Sequence, residues 1–186
     1  EEWTAEQPTQ AEMTSQTELE NDGKAYLQGP KKEGSPAVAL TFDDGPSAKT
    51  TTRLLDGLKK NNAKATFFVL GSQAKGHEDL LKRMVAEGHE VANHTYKHAD
   101  LTKFSDDYDI RTEIVETQKI IKECGGQGRS LRPPYGKYDS RVVAIAQYNN
   151  MRVVNWSIDT EDWRYKKDPN DASRIVEHVL SHVKDG

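Results

Sequence analysis

The sequence has little of several features that would place a protein in a class at once. Cys124 is the only cysteine among 186 residues, so no disulfide can form within the chain. No stretch approaches the roughly 18 consecutive apolar residues of a membrane-spanning helix, and we expect no transmembrane segment. The net charge of −4 lacks the basic excess typical of nucleic-acid-binding proteins, so we expect no nucleic-acid partner.

The charge is also unevenly distributed along the chain. Residues 1–22 contain seven acidic residues and no lysine or arginine, and subtracting −7 from −4 leaves +3 for the rest. Residues 1–34 carry too few large apolar side chains to offset the entropy that is lost on folding. We predict a polar acidic tail or linker over residues 1–34 and a folded domain over residues 35–186.

Predicted strands and helices alternate after residue 36. Short apolar runs predict strands at residues 37–42, 65–70, 90–92, 130–132 and 152–158. Apolar residues at helical spacing predict helices at residues 50–60, 79–87, 105–124, 140–148 and 172–184. This alternation is typical of a parallel sheet with helical crossovers, so we predict an α/β fold.

Two adjacent carboxylates, Asp43 and Asp44, follow the first predicted strand and precede a Gly45-Pro46 turn. Because like charges repel at the rim of an apolar core, this pair needs a cation or hydrogen-bond donors. The alternative is a plain turn in which an aspartate caps the helix that begins near Thr50.

Two histidines, His94 and His98, follow the third predicted strand. If this stretch is helical they share one face, which suits two ligands of one ion. With one of the carboxylates they would make three protein ligands and leave a position open for water, as catalytic zinc sites do. The remaining histidines lie in or beside amphipathic helices, and we interpret them as surface residues: His77, His89, His178 and His182.

Two further clusters follow the fourth and fifth predicted strands. Arg132 can hold a carboxylate through its planar guanidinium, and Pro133 and Pro134 stiffen the loop so that it can aim a backbone N–H. The alternative is a rigid loop with a packed tyrosine. Residues 156–163 combine carboxylates with two indoles, of which we expect Trp156 in the core and Trp163 exposed at the rim.

Taken in this order, the four clusters resemble the family 4 carbohydrate esterases, the nodulation-type polysaccharide deacetylase domain. The resemblance covers about residues 35–186 and rests on four motifs: Thr41-Phe42-Asp43-Asp44-Gly45-Pro46, His94-Thr95-Tyr96-Lys97-His98, Arg132-Pro133-Pro134-Tyr135 and Asp159-Thr160-Glu161-Asp162-Trp163. It implies an irregular (β/α) barrel that hydrolyses N-acetyl groups from an N-acetylglucosamine polymer with the help of a metal ion.

The resemblance also implies a role for each motif residue. Asp44, His94 and His98 would bind one divalent ion, with Zn²⁺ expected first and Co²⁺ or Ni²⁺ as alternatives. Asp43 would be the general base, and Arg132 would orient it. Pro134, Tyr135 and Trp163 would contact the substrate, with the backbone N–H of Tyr135 aimed at the oxyanion. Asp162, in preference to Asp159, would tether a histidine that acts as the general acid.

The chain departs from the family pattern at its C-terminal end. The family carries its acid histidine in a Leu-x-His motif on a strand after the last predicted helix, whereas the sequence given ends at Gly186. His182 is a poor substitute, because it lies on the amphipathic helix itself. We therefore expect the C-terminal strands of the barrel to be absent from this chain, or to be supplied as a C-terminal fragment.

The expected substrate follows from the resemblance alone. Peptidoglycan is the first expectation, chitooligosaccharides come second, and acetyl xylan is a further alternative. A polar tail before the domain suits a protein at the cell surface, so we expect an extracellular or cell-surface location. Two other interpretations stay open at this point. A non-enzymatic sugar-binding module is disfavoured by the intact Asp43, and a small-molecule amidase would require a deep closed pocket.

Overall fold

Five parallel strands form one sheet in the computed structural model, which describes residues 25–26, 38–164 and 171–183. The strands are β1 (Thr41–Gly45), β2 (Thr66–Val69), β3 (Glu90–Asn93), β4 (Ser130–Leu131) and β5 (Arg152–Val153). Their spatial order is β1-β2-β3-β4-β5, so each strand pairs with its neighbour in sequence. Sequential parallel pairing with crossovers is the pattern of a (β/α) barrel, and the predicted α/β fold is confirmed.

The described helices cover the sheet between and after its strands. They are α1 (Ala48–Lys60), α2 (Gly71–Ala74), α3 (Glu78–Ala86), α4 (Asp107–Glu123), α5 (Ser140–Tyr148) and α6 (Asp171–His182). Short 3₁₀ turns lie at Leu101–Lys103, Pro134–Gly136 and Asp162–Arg164. Within these described ranges, none of the helices combines the length and the apolar character that are needed to cross a bilayer.

Two clusters of buried apolar side chains hold the helices on the sheet. One lies around β1–β3, α1 and α3 and includes Leu55, Phe67 and Leu81. The other joins β4 and β5 to α4 and α5 and includes Ile110 and Val142. Burying one such side chain stabilises a fold by about 1.5–3 kcal/mol. Together, the two clusters hold the strands in place and thereby fix the strand ends from which the polar loops emerge.

Two predictions about burial are wrong. The first strand begins at Thr41, and Val38 and Leu40 before it are 56% and 41% exposed, because they lie at the start of the edge strand of the described sheet. His89 is buried instead of lying on the surface. Its Nδ1 accepts the N–H of Ala65 at 3.2 Å, and its ring meets the edge of Phe67. Desolvation lowers the pKa of His89, so the ring is kept neutral inside the fold.

One residue of the predicted tail, Tyr26, is bonded to the edge of the sheet. The N–H of Tyr26 donates to the carbonyl of Val153 at 2.9 Å, and the carbonyl of Tyr26 accepts the N–H of Asn155 at 2.9 Å. These bonds make a parallel bridge on the outer side of β5. The rest of residues 1–34 lies outside the described residues, as does any strand after residue 186, so both remain predictions.

Candidate metal centre and active site

Three potential metal ligands meet at the carboxyl end of the sheet. Asp44 lies at the end of β1, His94 follows β3 directly, and His98 lies four residues further on. The Nε2 atoms of His94 and His98 lie 3.4 Å and 3.3 Å from Oδ1 of Asp44. One ligand atom from each of the three residues lies within 4.8 Å of the other two.

These separations fit a divalent ion. Ligand atoms at about 2.0–2.1 Å from a tetrahedral zinc ion lie about 3.3–3.4 Å from one another. The two distances from Asp44 therefore match the edges of such a tetrahedron. Two imidazoles and one carboxylate are also a donor set that zinc sites use. With only three protein ligands, a position is left for water or substrate.

The ring of His94 is held in one tautomer. Its Nδ1 lies 2.6 Å from the carbonyl oxygen of Arg132, which can only accept a hydrogen bond. The proton therefore sits on Nδ1, and Nε2 faces Asp44 with its lone pair. His94 is 2% exposed, so its orientation is fixed by packing as well.

Burial favours the neutral form of His98, which is the form that binds metals. Desolvation lowers the pKa of His98, and His94 acts in the same direction, whereas Asp44 and Asp43 oppose the shift. A lowered pKa means that protonation begins only at a pH below the usual range for histidine. Proton competition for this ligand is therefore weak at neutral pH.

Residues 94–98 do not form the helix that would have placed the two histidines on one face. The segment is a loop, and the two rings converge because Thr95 and His98 adopt left-handed backbone conformations with φ of 71° and 61°. Asp44 and Tyr135 also have positive φ, of 67° and 61°. Such conformations are strained for residues other than glycine and tend to gather at functional sites.

Arg132 brings the second carboxylate into the site. Its Nη1 donates to Oδ1 of Asp43 at 2.7 Å and to Oγ1 of Thr41 at 2.9 Å. Nη2 donates to the carbonyl of Asn155 at 2.8 Å, and the guanidinium carbon lies 4.0 Å from the centroid of the Phe68 ring. Oδ2 of Asp43 lies 4.0 Å from Nε2 of His94, so this carboxylate stands beside the three ligands.

Two supporting residues were missed by the sequence analysis. Nη1 of Arg132 donates to both Thr41 and Asp43; Thr41 opens the first motif, but nothing in the sequence gave it a role of its own. Asn93 is fully buried; its Nδ2 donates to the carbonyl of Ile114 at 2.8 Å, and its Oδ1 accepts the N–H of Thr95 at 2.9 Å. A buried amide directly before His94 was the signal that could have identified this residue.

Comparison with known proteins decides the family. The sequence profile of polysaccharide deacetylases matches residues 30–154, more than half of the chain. The chain belongs to the polysaccharide deacetylase family. A chitooligosaccharide deacetylase of Sinorhizobium fredii is 39% identical over 155 residues, which are 82% of this chain and 70% of that protein.

Peptidoglycan deacetylases are also among the relatives. A peptidoglycan-N-acetylglucosamine deacetylase of Bacillus cereus is 43% identical over 146 residues, which are 78% of this chain and 51% of that protein. The chain thus spans about half the length of this relative. The crystal structure of the Bc1960 peptidoglycan N-acetylglucosamine deacetylase superimposes with a TM-score of 0.77 at 36% identity, covering 88% of this chain and 73% of that one.

One structural neighbour in the family is described as a pseudoenzyme. The BA3943 protein of Bacillus anthracis superimposes with a TM-score of 0.74 at 28% identity, covering 83% of this chain and 54% of that one. Membership of the polysaccharide deacetylase family therefore does not by itself prove catalysis, and the chemistry of the site has to be argued from its own residues.

The other predicted site residues of this deacetylase domain lie around the cluster with different degrees of burial. Pro134 is buried, and Tyr135 is 60% exposed with its ring 4.8 Å from that of His98. Trp163 is 60% exposed, and Asp162 is exposed at the start of a 3₁₀ turn. Trp156 is only half-buried, because β5 ends at Val153 and the indole lies beyond the strand.

The other described histidines are engaged away from the cluster. Nδ1 of His77 bonds to the carbonyl of Gln73, His89 is buried beside Ala65, and His178 and His182 stack on each other at 4.4 Å. Over residues 25–26, 38–164 and 171–183, no third histidine therefore joins His94 and His98 near Asp43. A histidine that could act as the general acid is absent from this described part.

Proposed function

We propose that this domain is a metal-dependent deacetylase that hydrolyses N-acetyl groups of an N-acetylglucosamine polymer, with peptidoglycan as the first substrate. The observation that carries the proposal is the placing of Asp43, bound to Arg132 at 2.7 Å, beside the convergent ligands Asp44, His94 and His98. Metal binding alone requires only the three ligands. A separately oriented carboxylate next to them is what hydrolysis adds.

Each residue of the site has a step to perform. When bound by Asp44, His94 and His98, a divalent ion, Zn²⁺ first among the candidates, supplies a Lewis acid that makes water a nucleophile near neutral pH. Asp43 accepts the proton of the attacking water, because Arg132 keeps one of its oxygens occupied and aims the other at the cluster. The backbone N–H of Tyr135 donates to the oxyanion of the acetyl carbon, a contact commonly worth about 3 kcal/mol.

The amine must gain a proton to leave. We propose that a histidine held by Asp162 provides this proton, and that Trp163 and Pro134 line the sugar groove. Acetate and a glucosamine residue are the products. Peptidoglycan comes first because the peptidoglycan deacetylase of Bacillus cereus is 43% identical to this chain and the chitooligosaccharide deacetylase of Sinorhizobium fredii is 39% identical, and a peptidoglycan substrate requires a domain that acts outside the cytoplasmic membrane.

Acetate release is the direct test. Purified protein would be incubated separately with peptidoglycan, N-acetylated chitooligosaccharides and acetyl xylan. Each substrate would be tested with protein whose metal has been removed by a chelator and with protein reloaded with Zn²⁺, Co²⁺ or Ni²⁺. We expect acetate from the first substrate, dependence on metal, and no release by the Asp44→Ala variant. Asp56→Ala is a matched control, because Asp56 is exposed on α1 and bonds Arg83 away from the cluster.

The likeness to a pseudoenzyme makes sugar binding without hydrolysis the second candidate. Binding of chitooligosaccharides, followed by calorimetry, separates the two. Affinity with no acetate from any metal-loaded form would support the binding module and contradict the deacetylase. Acetate from only a small N-acetylated amide would instead support an amidase of small molecules.

A further inference from the structure

Glu113 is a buried residue that belongs neither to the proposed metal ligands nor to the proposed catalytic residues. It lies on α4, is 8% exposed, and its Oε2 accepts the backbone N–H of Tyr96 at 2.9 Å and that of Lys97 at 2.7 Å. Both N–H groups belong to the loop between His94 and His98. We infer that Glu113 is a positioning residue that holds this loop so that the two imidazoles converge on one ion; the inference rests on the proposed metal site.

The same loop is held from its opposite side. The carbonyls of Thr95 and Tyr96 accept the N–H groups of Gly71 and Ser72, each at 3.0 Å. The peptide groups between the histidines therefore donate to α4 and accept from the start of α2. A loop bonded in this way has little freedom to move its ends apart.

The loop needs such support because its backbone is strained. Thr95 and His98 both adopt left-handed φ values, which non-glycine residues keep only when their surroundings compensate. Oε2 of Glu113 accepts two backbone N–H groups at the centre of this strained segment, and a carboxamide oxygen in the same place could accept both.

The position of Glu113 on its helix supports a dedicated role. It shares the buried face of α4 with Ile110, Ile114, Thr117 and Ile121. Packing alone would favour an apolar side chain there, since burying a carboxylate is costly unless it is hydrogen-bonded. A charge in an otherwise largely apolar stripe is also the sequence signal that could have identified Glu113 before the structure.

Three substitutions separate geometry from charge. Glu113→Gln keeps one oxygen where Oε2 lies, and since both N–H groups bond that single oxygen, we expect metal affinity close to that of the wild type. Glu113→Asp is shorter by one methylene and cannot reach both N–H groups, and Glu113→Ala removes the acceptor. For these two we expect metal affinity to fall by about 10–100-fold, the usual effect of losing a residue that orients a ligand.

The measurement is the binding of Co²⁺ to the metal-free protein, followed by the visible absorption band that reports the ligand geometry. Two controls share the helix. Glu116→Ala removes an exposed carboxylate of α4, and Ile121→Val loosens the core by one methylene without touching the loop. Thermal unfolding of every metal-free variant shows which of them fold. If Glu113→Ala does not fold, Glu113→Asp provides the test.

The outcomes are distinct. Weak binding and an altered band for Glu113→Asp and Glu113→Ala, with both retained in Glu113→Gln, Glu116→Ala and Ile121→Val, support the inference. Wild-type Co²⁺ affinity in a folded Glu113→Asp or Glu113→Ala protein overturns it, as does a Glu113→Gln protein that binds as weakly as Glu113→Ala. Wild-type protein that binds Co²⁺ but releases no acetate contradicts the proposed function and leaves this inference standing.

Discussion

Two regions of the molecule carry motifs of the same family but hold them very differently. At the carboxyl ends of β1–β4, His94 and Arg132 are 2% and 3% exposed and are fixed by bonds to backbone and side chains. In residues 156–164 and 171–183, Trp163, Val176 and Leu180 are more than half exposed. The first region has a defined geometry for chemistry, whereas the second presents its residues to solvent.

A match to a sequence motif therefore does not by itself show that the residues form a site with a defined geometry. Asp43 is held 2.7 Å from Arg132 and Asp44 lies 3.3 Å from His98, and this geometry supports the roles of base and ligand proposed for them. Asp162 and Trp163 match the same family pattern, but their proposed roles depend on partners beyond the described contacts.

The largest effect is expected for Asp43→Asn in the buried region. The amide keeps the shape of the side chain but cannot accept the proton of the attacking water, so turnover should fall by about 10²–10⁴-fold. Metal content should be unchanged, because Asp43 is not one of the three ligands. Acetate release and bound metal, measured on the same samples, test this. A parallel loss of both would make Asp43 a ligand and contradict its role as base.

The next largest effect is a steric one and is expected for Gly71→Ala. A Cβ at this position would overlap Oγ1 of Thr117 and Cδ2 of Tyr96, so these side chains have to shift, and Tyr96 lies in the loop between the two histidines. We expect metal affinity to fall by about tenfold or more, measured by Co²⁺ titration.

Gly57→Ala is the matched control for Gly71→Ala. It places a Cβ within α1, where nothing lies within 4 Å, and should raise the free energy of unfolding by about 0.5–1 kcal/mol. Equal metal affinities in both alanine variants would show that the loop tolerates displacement, and the contrast between the two regions would weaken.

A smaller effect is expected in the exposed region from Trp163→Ala. Loss of one aromatic contact is worth about 0.5–1.5 kcal/mol, so kcat/KM on long chitooligosaccharides should fall by about 2- to 12-fold. The melting temperature and metal affinity should not change, because the indole is 60% exposed. A loss larger than that of Asp43→Asn would reverse the ranking of the two regions.

The smallest effect is expected for Leu180→Ser on α6. Leu180 is 69% exposed, so the free energy of unfolding should change by no more than about 0.5 kcal/mol. Leu81→Ala, at a fully buried position, should cost about 2–5 kcal/mol in the same urea titration. Comparable losses would mean that α6 is covered by a surface that the described residues do not show.

The sequence allowed prediction of the elements whose apolar pattern is long. The helix predicted at residues 105–124 is α4, Asp107–Glu123, and the strand predicted at residues 65–70 contains β2, Thr66–Val69. Periodicity works for α4 because that helix buries one face along its length, whereas a continuous apolar run marks β2 because Phe67, Phe68 and Val69 are all buried. Asp44, His94 and His98, which the sequence predicted as metal ligands, do meet at one point, and their binding of an ion stays a prediction.

The geometry of the loops could not be predicted in the same way. The convergence of His94 and His98 comes from left-handed backbone at Thr95 and His98, and hydrophobic periodicity carries no information on φ. Glu113 lies 15 residues after His98 in the chain and contacts the loop only because α4 packs against β3. Contacts of this kind depend on tertiary packing, which a single sequence does not reveal.

The bridge between Tyr26 and β5 connects the N-terminal segment to the residues that orient Asp43. Tyr26 uses the carbonyl of Val153 and the N–H of Asn155, and two strands cannot share these groups. Asn155 in turn accepts Nη2 of Arg132 through its own carbonyl, and Arg132 binds Asp43. Whichever segment occupies the outer edge of β5 is therefore only one peptide group removed from the guanidinium. Removing residues 1–26 would leave the outer edge of β5 without the two Tyr26 hydrogen bonds. One restraint on the orientation of Asp43 would then be lost.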